Sequence, residues 1–96
     1  MSTREEILEK LKSAKSSLMS KYPIESMALF GSYARSEQTL QSDIDILVQL
    51  NGMIGSQFID LADDLEHFLN HKVDLISKNG IKSKYFESVQ RDLIYV

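Results

Sequence analysis

Two aspartates stand one residue apart at the start of an apolar run, in the segment SDIDILVQL (residues 42–50). On a β-strand, residues two positions apart point to the same face, so Asp43 and Asp45 would present their carboxylates side by side. Carboxylate oxygens are the preferred ligands of hard divalent cations, and Mg²⁺ typically takes one or two of them together with substrate phosphates. The alternative is an exposed strand entry whose charges have no function.

A third carboxylate, Asp74, lies in a segment of similar apolar and acidic pattern, KVDLIS (residues 72–77). If its strand neighbours the first, three carboxylates converge. They could then hold two metal ions ~4 Å apart, the arrangement used for in-line displacement at phosphorus. A strand-edge aspartate without a role is the alternative for this residue.

Residues suited to binding phosphate precede the acidic pair. Gly31 and Ser32 stand where an apolar strand gives way to a helix, and glycine lets a backbone approach a ligand closely. Arg35 could reach the same anion, or could simply pair with Glu37. Ser42 either contributes to nucleotide binding or caps the turn before the strand. One Mg²⁺-bound nucleoside triphosphate could bridge this segment and the aspartates.

Hydrophobic periodicity predicts the elements that must position these residues. We predict helices over Thr3 to about Ser20, Gln57–Asn70 and about Ser83–Arg91, strands over Ser26–Phe30, Asp43–Leu50 and Lys72–Ser77, one or two helical turns in SYARSEQ, and a final apolar tail, LIYV. This order predicts an α/β or α+β fold, with a small mixed sheet flanked by helices.

The helices carry specific expectations about capping and burial. Thr3 and Glu6 fit a capping box at the first helix start. The apolar stripe of the first helix is predicted to comprise Ile7, Leu8, Leu11, Ala14, Leu18 and Met19, and that of the second Ile59, Ala62, Leu65 and Leu69.

Composition limits the class of protein. The chain has 96 residues, which fits one domain (1–96), and its composition is that of an ordinary globular protein, with 43% hydrophobic and 26% charged residues. No apolar run could span a membrane, and without cysteine there is neither a disulfide nor a thiolate metal site. A net charge of −3 argues against a general nucleic-acid binder. We therefore expect a cytoplasmic protein.

The segment GSYARSEQTLQSDID (residues 31–45) closely resembles the signature G-S-x-A-R-G-x(n)-S-D-[IL]-D of the minimal nucleotidyltransferases, the MNT proteins of the DNA polymerase beta superfamily. The resemblance extends over nearly the whole chain and implies a polymerase-beta-like fold. It implies that Gly31 and Ser32 hold triphosphate oxygens and that Asp43, Asp45 and Asp74 bind Mg²⁺. The sequence departs from the pattern at Ser36, where the family usually has glycine.

MNT proteins of this size are often antitoxins of HEPN toxins, and the resemblance implies an enzyme that transfers AMP from ATP to a tyrosine hydroxyl of such a partner. A chain of this length has little room for an acceptor domain, so we expect the partner to bring its own binding surface. A catalytically weak antitoxin that acts by binding alone is the alternative, and Ser36 keeps it open. A transferase for a small molecule fits the length poorly, and self-association or a hetero-complex is plausible.

Two aromatic or imidazole features have competing interpretations. His67 and His71 have the spacing of metal ligands on one helix face, but a position at the helix end, where imidazole is favourable, fits them better. Tyr33 lies inside the signature and could stack on a base.

Overall fold

The structure, a computed structural model, describes residues 2–52 and 54–96. Its elements in chain order are α1 (Arg4–Lys21), β1 (Ile24–Phe30), α2 (Gly31–Ala34), β2 (Ile44–Leu50), α3 (Gln57–Leu69), β3 (Val73–Ser77), a 3₁₀ turn (Lys78–Gly80), α4 (Ser83–Gln90) and β4 (Ile94–Tyr95). The predicted helices and strands are confirmed, with ends that differ by one or two residues.

The strands form one mixed sheet in the order β3–β2–β1–β4. β2 pairs antiparallel with β1 and parallel with β3, and β1 pairs antiparallel with β4. The end of β1 therefore meets the starts of β2 and β3. This topology brings three segments that are distant in sequence to one end of the sheet.

The larger core lies between one face of the sheet and helices α1 and α3. The predicted stripe of α1 is buried at Ile7, Leu11, Ala14 and Leu18, whereas Met19 is 42% exposed. Every second residue of β2 faces this core, as predicted, because side chains alternate along a strand.

The predicted stripe of α3 is partly wrong. Its buried residues are Leu61, Leu65 and Leu69, while Ile59 is 65% exposed. Residues four apart share a helix face, and Ile59 stands two positions before Leu61, which puts it on the opposite face. Ile59 is therefore a surface residue and not a core residue.

A smaller core lies on the other face of the sheet under α4. It consists of Phe30, Leu47 and Val89, with partly buried apolar residues packed around them. The C-terminal segment LIYV is more than an apolar tail, because Ile94 and Tyr95 pair with β1 as a fourth strand. Its backbone hydrogen bonds fix the chain that follows α4 against the sheet.

Thr3 is the N-cap of α1, and its hydroxyl oxygen accepts from the backbone N–H of Glu6 at 3.2 Å. This confirms the Thr3 half of the predicted capping box, which satisfies a free donor at the helix start, whereas the Glu6 carboxylate accepts from the Thr3 hydroxyl at 3.2 Å. Within the described ranges, no helix is long and apolar enough to cross a membrane.

Candidate active site

The three predicted metal ligands lie together at one end of the sheet. Asp45 in β2 stands directly opposite Asp74 in the parallel strand β3, and on its other side it faces Phe30, the last residue of β1. Asp43 precedes β2 by one position. We call the end of the sheet that carries Asp43, Asp45 and Asp74 the aspartate end. The condition for this prediction, that the two strands are neighbours, is confirmed, and the metal-binding role of the three residues stays a prediction.

The carboxylates are in different environments. Asp43 and Asp74 are exposed, whereas Asp45 is half-buried. Burial and the negative charges of Asp74 and Asp43 raise the pKa of Asp45 to about 6, and Arg35 opposes this shift. The aspartate end therefore carries negative charge that its protein neighbours do not fully balance.

This charge suits a divalent cation that is shared with a substrate. In the part of the chain that the structure describes, no group of three or more acidic or histidine side chains has an arrangement that could hold a metal ion. Mg²⁺ seldom uses a cage of protein ligands alone, because it keeps waters and takes one or two carboxylates plus substrate phosphates. The adjacent Asp43, Asp45 and Asp74 fit that open mode of binding.

Gly31 brings the backbone against the acidic pair. It has φ +76°, a left-handed conformation that side chains disfavour, and a Cβ there would overlap Asp45 Oδ2 and lie 2.9 Å from Asp45 Cγ. Only glycine leaves room for the Asp45 carboxylate at this distance. The Gly31 backbone and the Asp45 carboxylate are thus in direct contact.

Ser36, where the chain departs from the family signature, lies in the turn after α2. Ser36 has φ 57°. Its N–H donates to Tyr33 O at 3.2 Å, and the Glu37 N–H donates to Ser32 O at 2.8 Å. This is the Schellman pattern at a helix end, in which the left-handed position favours glycine. Serine occupies that conformation here at a cost in backbone strain.

Arg35 and Ser42 are bonded to protein groups. Arg35 Nε donates to Glu37 Oε1 at 2.8 Å, and a terminal nitrogen donates to Asp92 Oδ2 at 2.6 Å. The Ser42 hydroxyl accepts from the Thr39 N–H at 2.9 Å and so caps the turn before β2. Both arrangements correspond to the structural alternatives considered for these residues, and their nucleotide-binding roles remain predictions.

Tyr33 does not stack on a base, because its side chain is completely buried in the larger core. Its hydroxyl lies 3.2 Å from His71 Nε2. His67 bonds to the Asp63 carbonyl oxygen at 2.9 Å, so the two histidines have separate partners. Sequence reasoning missed the link between Tyr33 and His71, because no local pattern relates positions 38 residues apart.

Two cavities lie elsewhere on the surface. One, of about 300 Å³, is lined by Lys21, Tyr22 and acidic residues of α3, and the other, of about 370 Å³, lies by Leu50 and Ser77. Leu50 and Ser77 end β2 and β3, so the second cavity is at the opposite end of the sheet from the aspartates. Neither is lined by the three aspartates.

Comparison with known sequences identifies close relatives over the full chain. The family described as nucleotidyltransferase domain matches residues 6–96. A Methanocaldococcus jannaschii protein, MJ1379, provisionally named a protein adenylyltransferase, is 48% identical over 100 residues that cover both chains completely. The protein adenylyltransferase MntA of Thermococcus cleftensis is 37% identical over 97 residues, which cover 100% of this chain and 98% of that protein.

Solved structures show the same fold. One, provisionally described as a minimal nucleotidyltransferase, superposes with a TM-score of 0.73 at 31% identity and covers 91% of this chain and 93% of its own. Another contains a tri-AMPylated Shewanella oneidensis HEPN toxin with its MNT antitoxin, at a TM-score of 0.71, 22% identity and 93% and 70% coverage. The match of the family to residues 6–96, together with the structure at 31% identity, shows that the chain belongs to the nucleotidyltransferase domain family. The chain is therefore a nucleotidyltransferase.

Proposed function

We propose that this protein transfers AMP from ATP to a tyrosine hydroxyl of a HEPN-type toxin and thereby acts as its antitoxin. The observation that carries the proposal is the aspartate end, where Asp45 lies between Asp74 and the Gly31 backbone. The names of the relatives as protein adenylyltransferases support AMP as the transferred group. Solved neighbours of the same fold that contain a HEPN toxin or AMP-PNP support the partner and the nucleotide.

Each part of the site has a role in this proposal. Asp43, Asp45 and Asp74 would hold Mg²⁺, which would supply positive charge to the phosphate oxygens. Gly31 and Ser32 hold the triphosphate, because the first N–H groups of a helix have no partner within it. The protein thus acts mainly by positioning the reacting groups and by stabilising charge in the transition state, and these are the largest contributions to catalysis at phosphorus.

The transfer itself is an in-line displacement. The tyrosine oxygen forms a bond to the α-phosphorus while the bond from that phosphorus to the oxygen bridging to the β-phosphorus breaks, and pyrophosphate leaves. The hydroxyl proton passes to a carboxylate, for which we propose Asp74. Asp74 is exposed, which suits a group that must meet an acceptor carried by another protein.

Intact-mass spectrometry tests this function. The protein encoded beside this chain is incubated with ATP, Mg²⁺ and either the wild type, the Asp43→Asn/Asp45→Asn double variant or Asp63→Asn, which removes an exposed carboxylate of α3. We expect the partner to gain one or more AMP units with the wild type and Asp63→Asn only. A gain of equal rate with the double variant would exclude the metal role of the two aspartates.

A second candidate is neutralisation of the partner by binding alone. Two observations favour it: Ser36 adopts the left-handed conformation at φ 57°, and Arg35 is bonded to two carboxylates. Both lie in the segment after Gly31–Ser32 and could weaken triphosphate binding. Inhibition of the partner without ATP and Mg²⁺, at one-to-one stoichiometry and without a mass gain, would support this second function.

A further inference from the structure

A hydrogen-bond network that begins at a buried tyrosine lies behind the candidate site. Tyr33 follows Gly31 and Ser32 in α2, is completely buried, and places its hydroxyl 3.2 Å from His71 Nε2. The two rings meet edge to face, with centroids 5.6 Å apart and planes at 80°. A buried hydroxyl is costly without a partner, so this contact fixes the orientation of Tyr33.

The second nitrogen of the imidazole determines the direction of the network. His71 Nδ1 lies 3.1 Å from the Lys72 carbonyl oxygen, which can only accept a hydrogen bond. In the neutral ring, the tautomer that satisfies both contacts carries its proton on Nδ1, which donates to Lys72 O, while its Nε2 accepts from the Tyr33 hydroxyl. A single tautomer satisfies both contacts.

The same carbonyl joins the network to the strands of the site. Lys72 O also accepts from the Ile44 N–H at 2.9 Å. Ile44 stands between Asp43 and Asp45, and Lys72 is two positions before Asp74. The network thus links α2, which carries Gly31 and Ser32, to the starts of β2 and β3, where the three aspartates lie.

The position of His71 is itself fixed by the end of α3. Asn70 adopts a left-handed conformation, with φ 51° and ψ 46°, and the His71 N–H donates to Glu66 O at 3.3 Å. The Glu66 carboxylate accepts from the Val73 N–H at 2.9 Å. The connection from α3 to β3 is therefore held at several points, and the imidazole enters the network from a defined backbone.

We infer that His71 is a positioning residue that sets, through Tyr33, the distance between the Gly31–Ser32 segment and the three aspartates. This inference rests on the proposed nucleotide site but not on the identity of the acceptor. Tyr33 lies in the core on the face of the sheet opposite Asp45, so neither ring needs to touch the nucleotide. A small displacement of a positioned group can cost about 100-fold in rate, which is the scale on which such a residue matters.

The test measures how strongly Mg²⁺ and nucleotide assist each other's binding. Calorimetric titration with the non-cleavable α,β-methylene analogue of ATP gives Kd with Mg²⁺ and with EDTA. In the wild type we expect Mg²⁺ to tighten binding about 10-fold or more, within the usual range of coupling between two ligands. In His71→Ala and Tyr33→Phe this enhancement should fall to about 2-fold. The reason is that the Gly31–Ser32 segment and the three aspartates are then no longer held at the distance that one Mg²⁺-bound triphosphate spans.

Three further variants separate positioning from general stability. His71→Gln keeps a planar group with one acceptor and one donor, and it should restore most of the enhancement. His67→Ala, a matched loss of imidazole outside the network, should leave it unchanged. The double variant Tyr33→Phe/His71→Ala should be no worse than His71→Ala alone, because both changes break one network.

The outcomes distinguish this inference from the proposed function. Circular dichroism at the assay temperature shows whether His71→Ala is folded. If the folded variant keeps the wild-type Mg²⁺ enhancement, the positioning role is overturned. A wild type that binds the analogue with Mg²⁺ but transfers no AMP would reject the proposed function and leave the positioning role supported. A wild type that does not bind the analogue would overturn both.

Discussion

Asp45 and Asp74 face each other across two parallel strands, with the same register position and on the same face of the sheet. Like charges at directly opposite positions destabilise a sheet, and here the Asp45 carboxylate is also half-buried. The raised pKa of Asp45, about 6, is the consequence of this placement. The fold thus tolerates an unfavourable charge pair at the aspartate end, where we propose the active site.

Stability should depend on the ionisation of Asp45. A carboxyl whose pKa rises from 3.8 in the unfolded chain to about 6 in the fold binds more protons when folded. For this group alone, stability is therefore greatest below pH about 4 and falls as the pH rises through about 6. Asp45→Asn should increase stability at pH 7.5 by about 1 kcal/mol, after allowance for solvent screening, and should have little effect at pH 4.

Urea unfolding in EDTA at the two pH values measures this difference. Glu87→Gln removes the same charge from an exposed position of α4 and gives the background change. A stability gain from Asp45→Asn that is equal at pH 4 and pH 7.5 would mean that Asp45 is not destabilised by its neighbours.

Mg²⁺ should stabilise the wild-type protein at pH 7.5, because a divalent cation relieves the repulsion between the paired carboxylates. At ten times its Kd the gain would be about 1.4 kcal/mol. We expect Asp45→Asn and Asp74→Asn to lose this gain and Asp63→Asn, which lies in the acidic surface of α3, to keep it. Thermal unfolding with MgCl₂ or with NaCl of equal ionic strength measures the effect, and an equal gain in all four proteins would indicate unspecific binding.

Gly31→Ala should damage the site in a way that Gly52→Ala does not. Both glycines have positive φ, but a Cβ at position 52 has no atom within 4 Å, whereas one at position 31 overlaps the Asp45 carboxylate. We expect both variants to lose about 1–2 kcal/mol from backbone strain. Gly31→Ala should lose a further 1–3 kcal/mol, by rough analogy with overpacked cores, together with nucleotide binding.

Chemical denaturation of the two variants, with and without Asp45→Ala, separates these contributions. Removing the Asp45 carboxylate should stabilise Gly31→Ala by more than it stabilises Gly52→Ala, because only at position 31 does it also relieve the overlap with the added Cβ. If Asp45→Ala had the same effect in both backgrounds, the close contact at position 31 would be disproved.

Ser36→Gly should stabilise the protein by about 0.5–1 kcal/mol. The left-handed conformation costs a side-chain-bearing residue about 1–2 kcal/mol, and the extra flexibility of unfolded glycine offsets part of that cost. Asn70→Gly is the control, because Asn70 has φ 51° in an equivalent turn and asparagine tolerates it better than serine. Melting curves should show a larger gain for Ser36→Gly, and a loss of stability would mean that the serine side chain makes a compensating contact.

Much of the site could be predicted from sequence because it depends on local geometry. The two-residue period of a strand predicts that Asp43 and Asp45 point to one side, and the signature residue Gly31 directly follows the preceding strand. The position of Asp74 required a guess about strand order, which the parallel pairing of β2 and β3 confirms.

The remainder depends on tertiary contacts that leave no local pattern. Ile94 and Tyr95 form a strand only because β1 offers a free edge, and two residues are too few for a recognisable period. Asp92 lies 57 positions from Arg35, so no local sequence pattern predicts the ion pair between them. The apolar pattern wrongly predicts Ile59 as part of the buried stripe of α3. In the fold, Leu61 is buried and Ile59 is exposed.

The most direct test of the account is a crystal structure of the protein with Mg²⁺ and the α,β-methylene analogue of ATP. We expect Mg²⁺ at about 2.1 Å from carboxylate oxygens of Asp43 and Asp45, with the triphosphate on the Gly31–Ser32 segment. An analogue bound in the cavity beside Lys21 or in the one beside Leu50, with no metal between the aspartates, would contradict the assignment of the aspartate end as the active site.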